Sequence, residues 1–339
     1  MILTKTIPMK NIKLIIALTL GLSLGIKQSN AQVDPHFSQY YANPIWLNPA
    51  LTGVTEGAYR VNVNAKQQWS NLNNGFLTAG ASFDAAPVKN LAFGGMIINQ
   101  RAGAISYNQL NVLASAAYRI RFGQNGDQIV NFGMQAGIIS KSFDASKATF
   151  GNQYNPGMGY DPSMPFNENV NSQDFVAPDI NAGVMYFDGS SYKSANVFVG
   201  ASVAHINQPK DKFVGGDAKI PMRFTGHGGV RFKVNNMLAL TPNALYMKQG
   251  NAEEYALSMY AQLMLDPQSD LLFGGNYRFK DAAIAYVGVH FKSMVFGLSY
   301  DFNTSDLNRA TGSKGGLELS ISFNSRKGIV GPNFFCPRL

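Results

Sequence analysis

The chain is poor in cysteine: among 339 residues there is one, Cys336. A lone thiol excludes an intramolecular disulfide and a cysteine-built metal cluster. Histidine is scarce too. His36, His205, His227 and His290 are the four, and none stands at metal-ligand spacing from another His or a carboxylate pair. Charged residues make up only 14% of the chain, against roughly 25% in soluble domains. Beyond the first thirty or so residues, no apolar run approaches the roughly 20 residues a membrane-crossing helix needs. Phosphate loops are missing as well. Gly94-Gly95, Gly228-Gly229 and Gly274-Gly275 lead into no Lys-Ser/Thr helix start. Each sits in a strand-like pattern, where glycine lets a sheet bend or leaves room beside it.

What is present begins with an export signal. Lys5, Lys10 and Lys13 form a basic start, and Ile12 to Ile26 is apolar except for Lys13, Thr19 and Ser23. Ser29-Asn30-Ala31 supplies the small residues a signal peptidase reads, so a signal peptide over 1–31 and a mature start at Gln32 are expected. The signal holds Lys5, Lys10, Lys13 and Lys27 and no acid. Without it, 24 basic residues face 20 acidic ones and net charge falls from +8 to +4. That balance is too mild to indicate a nucleic-acid partner.

The remainder alternates with period two. Tyr59, Val61, Val63 and Ala65 oppose Arg60, Asn62, Asn64 and Lys66. Leu110, Val112, Ala114, Ala116, Tyr118, Ile120 and Phe122 oppose Gln109, Asn111, Leu113, Ser115, Ala117, Arg119 and Arg121. The same rhythm returns from Val130 and from Arg223 to Val234. Alternation over ten or more residues marks strands with one apolar face. Low charge, hydrophobic content of 45% and long half-apolar strands together fit a membrane barrel. Aromatic residues near strand ends, including Tyr59, Trp69, Tyr118, Phe122, Tyr186, Tyr246, Phe279 and Phe323, place the apolar face toward lipid. The expected fold is all-β: a transmembrane antiparallel β-barrel of about 14 strands, an even number that leaves no free edge. Strand starts are expected near residues 59, 76, 90, 107, 129, 178, 194, 222, 237, 254, 270, 282, 293 and 315. Ala145 to Pro178, rich in Asn, Gly, Pro and Met, reads as a long loop or lumen plug. The domain expectation is 1–31 signal peptide, 32–57 periplasmic or lumenal segment, 58–324 outer-membrane barrel and 325–339 tail.

No catalytic residue, metal site or cofactor site is expected. A nucleophilic hydrolase would need a serine, a histidine and an orienting partner held together, and only His205 or His227 could serve. Asp34 to Gly53 (DPHFSQYYANPIWLNPALTG) is more distinctive. Its three X-Pro pairs fix φ and remove donors, which rules out a central strand. Its aromatics, Phe37, Tyr40, Tyr41 and Trp46, favour docking over disorder.

These residues resemble the opening of the PorP/SprF proteins of the type IX secretion system in Bacteroidota. The matching pieces are Asp34-Pro35, Phe37-Ser38-Gln39-Tyr40, Asn43-Pro44, Asn48-Pro49-Ala50 and Gly53. Further resemblance lies in His205-Ile206-Asn207-Gln208-Pro209, in Gly297 to Asn303 with Ser305-Asp306-Leu307, in Gly315 to Ser320, and in Cys336-Pro337-Arg338. The resemblance implies a non-enzymatic outer-membrane component of type IX secretion or gliding. Such a component would assist export or surface attachment of a secreted substrate or adhesin with a C-terminal sorting domain. The implied partners are that substrate, periplasmic ring components of the machine and outer-membrane lipid. Phe37, Gln39, Tyr40, Asn43, Pro44, Asn48 and Pro49 are the expected partner-binding residues. The alternative is a passive diffusion pore or small-molecule transporter, with Arg60, Arg119 and Arg231 making a weakly anion-selective lumen.

Overall fold

The computed structural model describes residues 34–325, apart from 56, 70–74, 104, 124–125, 150, 156, 162, 165–172, 212–217 and 306–313. The expected signal peptide, the tail beyond Ser325 with Cys336, and Asp306-Leu307 lie outside the described residues.

The first barrel strands are β1 (Tyr59–Gln68), β2 (Phe76–Ala85), β3 (Leu91–Ala102), β4 (Tyr107–Phe122) and β5 (Gln128–Phe143). A two-residue hairpin, β6 (Tyr154–Asn155) with β7 (Gly159–Tyr160), follows and stands apart from the barrel. The wall continues with β8 (Gln173–Asp188), β9 (Ala195–Ala204), β10 (Arg223–Lys233), β11 (Leu238–Gln249) and β12 (Ala252–Asp266). It ends with β13 (Ser269–Arg278), β14 (Ala282–Phe291), β15 (Met294–Asn303) and β16 (Lys314–Asn324). The fourteen barrel strands run antiparallel, each paired with its neighbour in sequence. β1 closes the cylinder on β16, with Val61 opposite Phe323 and Lys66 opposite Glu318. Closure pairs every edge, so the wall offers no template for aggregation.

Alternation sorts the wall into two faces. On β4, Gln109, Asn111, Leu113 and Ser115 are buried inside, while Val112 and Tyr118 are exposed outside. Lipid covers that outer face. Ring pairs mark both rims. At one end Tyr59 lies beside Phe83 and Phe323, and Phe122 beside Tyr186. At the other Trp69 meets Phe76, Tyr246 meets Tyr255, and Tyr277 meets Phe279. Two aromatic girdles bounding an apolar band are the signature of an outer-membrane barrel.

The rim that carries Tyr59 has short connections. β12 and β13 are joined by Pro267-Gln268 alone, and β14 and β15 by Lys292-Ser293 alone, with Lys292 at φ 57°. The opposite rim carries the long connections between β5 and β8, β9 and β10, and β15 and β16. Short turns face the periplasm and long loops the outside, so β1 starts and β16 ends at the periplasmic mouth.

One boundary differs from expectation. β8 begins at Gln173, so Pro178 lies inside a strand, opposite Ile138, and the long loop ends earlier. Pro is tolerated there because β9 pairs only with Ala182–Phe187 of β8. The missing N–H of Pro178 therefore faces no ladder. Asn207 caps that unpaired stretch instead: its amide donates to the Pro178 carbonyl at 2.7 Å and its oxygen accepts from Ile180 N–H at 3.2 Å.

Candidate functional site

Asp34 to Val54 lies inside the barrel. Its three prolines break it into a 3-10 turn (Tyr40–Ala42), a single-turn helix α1 (Pro44–Leu47) and a second 3-10 turn (Pro49–Leu51). Each Asn-Pro step starts a new turn, as fixed φ at the first helical position favours. The segment enters β1 from the periplasmic mouth, and its upstream end, Asp34, reaches the outer mouth beside Gln249 of β11. It thus threads the full height of the lumen.

At the outer mouth Asp34 accepts from Arg223 Nη1 at 2.9 Å and contacts His205 Nε2 at 2.8 Å, while Asp179 contacts His205 Nδ1 at 2.8 Å. Burial disfavours a charged imidazole, but the two carboxylates outweigh it and push the His205 pKa up to about 9. Burial also disfavours the Asp34 carboxylate, yet His205 and Arg223 hold its pKa well below the usual range. Arg223 also stacks on Trp46, 4.0 Å from the ring centre.

In the outer half of the lumen, Ser38 O–H donates to Asp301 at 2.6 Å, and Ser38 N–H donates to Glu318 at 2.6 Å. Asp301 also pairs with Lys66 at 3.3 Å and Arg278 at 3.1 Å. Lys66 and Glu318 are both 0% exposed, so each charge depends on its partners rather than on water. Deeper, Gln39 Nε2 donates to Ser299 Oγ, Tyr40 O–H donates to Asn243, and Asn48 Nδ2 donates to the Val184 carbonyl. At the periplasmic mouth Arg60 forks onto Asp84 at 3.0 and 2.9 Å and donates to the Val54 and Leu51 carbonyls. Arg119 donates to the Gly53 carbonyl at 2.6 Å.

Apolar packing adds to these bonds. Phe37, Ile45 and Trp46 pack with Met96, Ile98 and Leu113 of β3 and β4. Tyr40, Tyr41, Leu47 and Leu51 pack with Ile129, Met185, Phe187 and Phe198. Gly133 and Gly183 make room: a methyl group on either would overlap the Pro49–Ala50 backbone or the Asn48 side chain.

Phe37, Gln39, Tyr40, Asn43, Pro44, Asn48 and Pro49 are all buried in this arrangement, and each faces the wall or the rest of the plug. The arginines expected to colour a pore are engaged. Arg60 holds Asp84, Arg119 holds Gly53, and Arg231 donates to Gln262 at 3.0 Å. His227 faces Asn48 at 3.1 Å and Tyr41 at 3.5 Å. Among the described residues, no group of three or more His, Cys, Asp or Glu is placed to hold a metal ion.

The profile of the family described as type IX secretion system membrane protein PorP/SprF matches residues 29–323. The chain belongs to the PorP/SprF family. It is therefore an outer-membrane component of the type IX secretion system. No curated protein matches the chain. Among solved structures it is similar to the Ralstonia pickettii toluene transporter TbuX, at 12% identity and TM-score 0.51, over 83% of this chain and 92% of that one. It is also similar to the P. putida toluene transporter TodX, at 10% identity and TM-score 0.46, over 83% and 93%. These likenesses concern the barrel fold.

The PorP/SprF resemblance noted in separated stretches has a spatial meaning. Asp34 of the first motif meets His205 of the second. Ser38 meets Asp301 of the third and Glu318 of the fourth. Sequence reasoning marked these stretches but assigned the binding role to the N-terminal segment alone. The wall residues that hold it, Asp84, Asp301 and Glu318, and Lys66 behind Asp301, carried no binding role in that reading. The available signal was acidic or basic residues on the lumen-facing phase of strands, where a water-filled channel and a plugged one look alike.

Proposed function

We propose that this PorP/SprF protein works as a sealed barrel: a docking platform in the outer membrane that assists export or surface attachment of a substrate with a C-terminal sorting domain. The observation that carries this reading is the threaded Asp34–Val54 segment, bonded at the outer mouth, mid-lumen and periplasmic mouth. A lumen filled in this way suits protein docking better than solute flow. The seven motif residues serve by anchoring the segment, so that partners meet a rigid body whose two mouths are shaped by it. The periplasmic mouth is suited to ring components of the machine, and the outer loops to the secreted substrate.

Affinity purification from detergent-solubilised outer membrane tests the platform. Recovery of a large surface protein with a sorting domain, or of periplasmic ring proteins, is expected. Recovery of the barrel alone under conditions that keep other complexes intact would overturn it. Planar-bilayer recording addresses the pore alternative: the platform predicts a silent protein, and a steady open conductance would favour diffusion.

A further inference from the structure

The plug does not fill the lumen evenly. A cavity of about 150 Å³ remains in the periplasmic half, between the plug and strands β11 to β16 and β1. Tyr41 of the plug and Tyr260 and Tyr286 of the wall form its aromatic surface. The rings of Tyr260 and Tyr286 meet edge to face, with centres 5.5 Å apart. Residues at the periplasmic ends of their strands, Arg60, Val295 and Asn324, also line it, so it faces the inner mouth.

The charges in its lining are already matched. The Asp270 carboxylate contacts His290 Nδ1 at 2.9 Å and accepts from Gln262 Nε2 at 2.8 Å. Arg60 is committed to Asp84. A charged occupant would find no counter-ion, which selects an uncharged one. The rest of the polar lining is amide and hydroxyl: Asn62, Thr241, Ser320 and Ser322 among them. On the other side of the lumen, side chains of this kind already grip a polypeptide backbone. Gln135 donates to the Ile45 carbonyl at 2.7 Å, Asn131 to the Ala50 carbonyl at 3.0 Å, and Ser202 to the Leu47 carbonyl at 3.0 Å. The chain gripped there consists of short helical turns, each begun by a proline. The cavity is well below the roughly 300–1,000 Å³ of small-molecule sites, which suits a few side chains rather than a drug-sized ligand. Aromatic-lined clefts are how proline-containing peptides are held elsewhere.

We propose that this cavity receives a short, uncharged, proline-containing peptide segment of a periplasmic partner, inserted from the inner mouth beside the plug. The proposal rests on the platform reading and names where one partner would enter.

The test uses the full-length protein in nanodiscs, with 3-fluorotyrosine in place of Tyr286 as a fluorine NMR reporter. The probes are acetylated, amidated pentapeptides built from Ala, Pro, Leu and Tyr, and separately chitotriose. A saturable shift with proline-containing peptides is expected. Val295→Trp and Thr241→Trp fill the cavity from different strands, and each should weaken binding about tenfold or more. Absence of a saturable shift, or an undiminished one in whichever filled variant retains a folded barrel, overturns the proposal. A response to chitotriose alone also overturns it and assigns the cavity to a glycan. Co-purification in cells separates the two readings. If Val295→Trp keeps every component that the unaltered protein recovers, the cavity proposal fails and the platform stands. If the unaltered protein recovers none, the platform fails, and the titration still decides the cavity.

Discussion

The two sides of the lumen meet the same plug in different ways. Toward β3–β5 and β8–β10 the plug is packed: Phe37, Trp46, Leu47 and Leu51 sit against aliphatic and aromatic wall residues, with glycines cut to the plug's outline. Toward β13–β16 and β1 the contact is polar, carried by Ser38 and Gln39 on Asp301, Ser299 and Glu318. Below that polar contact the cavity begins. Close packing is dense and tolerates little change in volume, whereas a charge network is sensitive to loss of one member. One side fixes shape; the other fixes position and leaves space.

Breaking each side in turn separates the two. Asp301→Asn should cost most, about 3–5 kcal/mol, because Lys66 and Arg278 lose a shared buried counter-charge. Thermal unfolding, read by heat-modifiable electrophoretic mobility, measures it, and adding Lys66→Met should recover part of the loss. A plain additive loss in the double variant would show that the two charges are not coupled. The outer clasp should show pH dependence. His205 has its pKa raised to about 9 in the folded state, against about 6.5 unfolded. Its contribution is therefore complete below about pH 6.5 and lost as pH rises through about 9, on the order of 3 kcal/mol in all. Maleimide labelling of Pro35→Cys, divided at each pH by the rate for free cysteine, should accelerate over that window, and a flat ratio would exclude the clasp as a restraint. On the packed side, Gly133→Val should cost about 1–3 kcal/mol by overpacking against Pro49–Ala50. It should also raise bilayer conductance from silence, because the displaced plug no longer seals. Tyr40→Phe is the mildest, about 1 kcal/mol, for the hydrogen bonds to Asn243 and Ser258. Its unfolding should shift without any change in conductance.

Period-two alternation made the barrel legible. Tyr59 to Lys66 and Val112 to Phe122 read directly as wall, because one face meets lipid and the other does not. The start of β8 was obscured because the pattern inverts there. Phe175 and Ala177 face inward, onto Ile139 and Ile220, instead of outward, and Pro178 reads as the end of the preceding Asn-, Gly- and Pro-rich loop. In the N-terminal segment the prolines revealed that no strand forms, and the aromatics that it packs. Its threading direction was not legible, since that depends on Asp34 finding His205 and Arg223 across more than half the chain. Nor was the state of Arg60 and Arg119. A lumen-facing arginine looks the same in sequence whether it faces water or a plug carbonyl.

The contacts of Ser38 carry a consequence for assembly. Ser38 precedes every strand of the barrel, yet its acceptors stand on β15 and β16, 263 and 280 residues away. A segment that comes before the first strand must wait for the last ones before it can settle. Contacts so distant in sequence form late, so a chain lacking its final hairpin would present both an unclosed wall and an unseated plug. Closure of the cylinder and sealing of its interior thereby become one event, and a half-built barrel has no means of passing for a finished one.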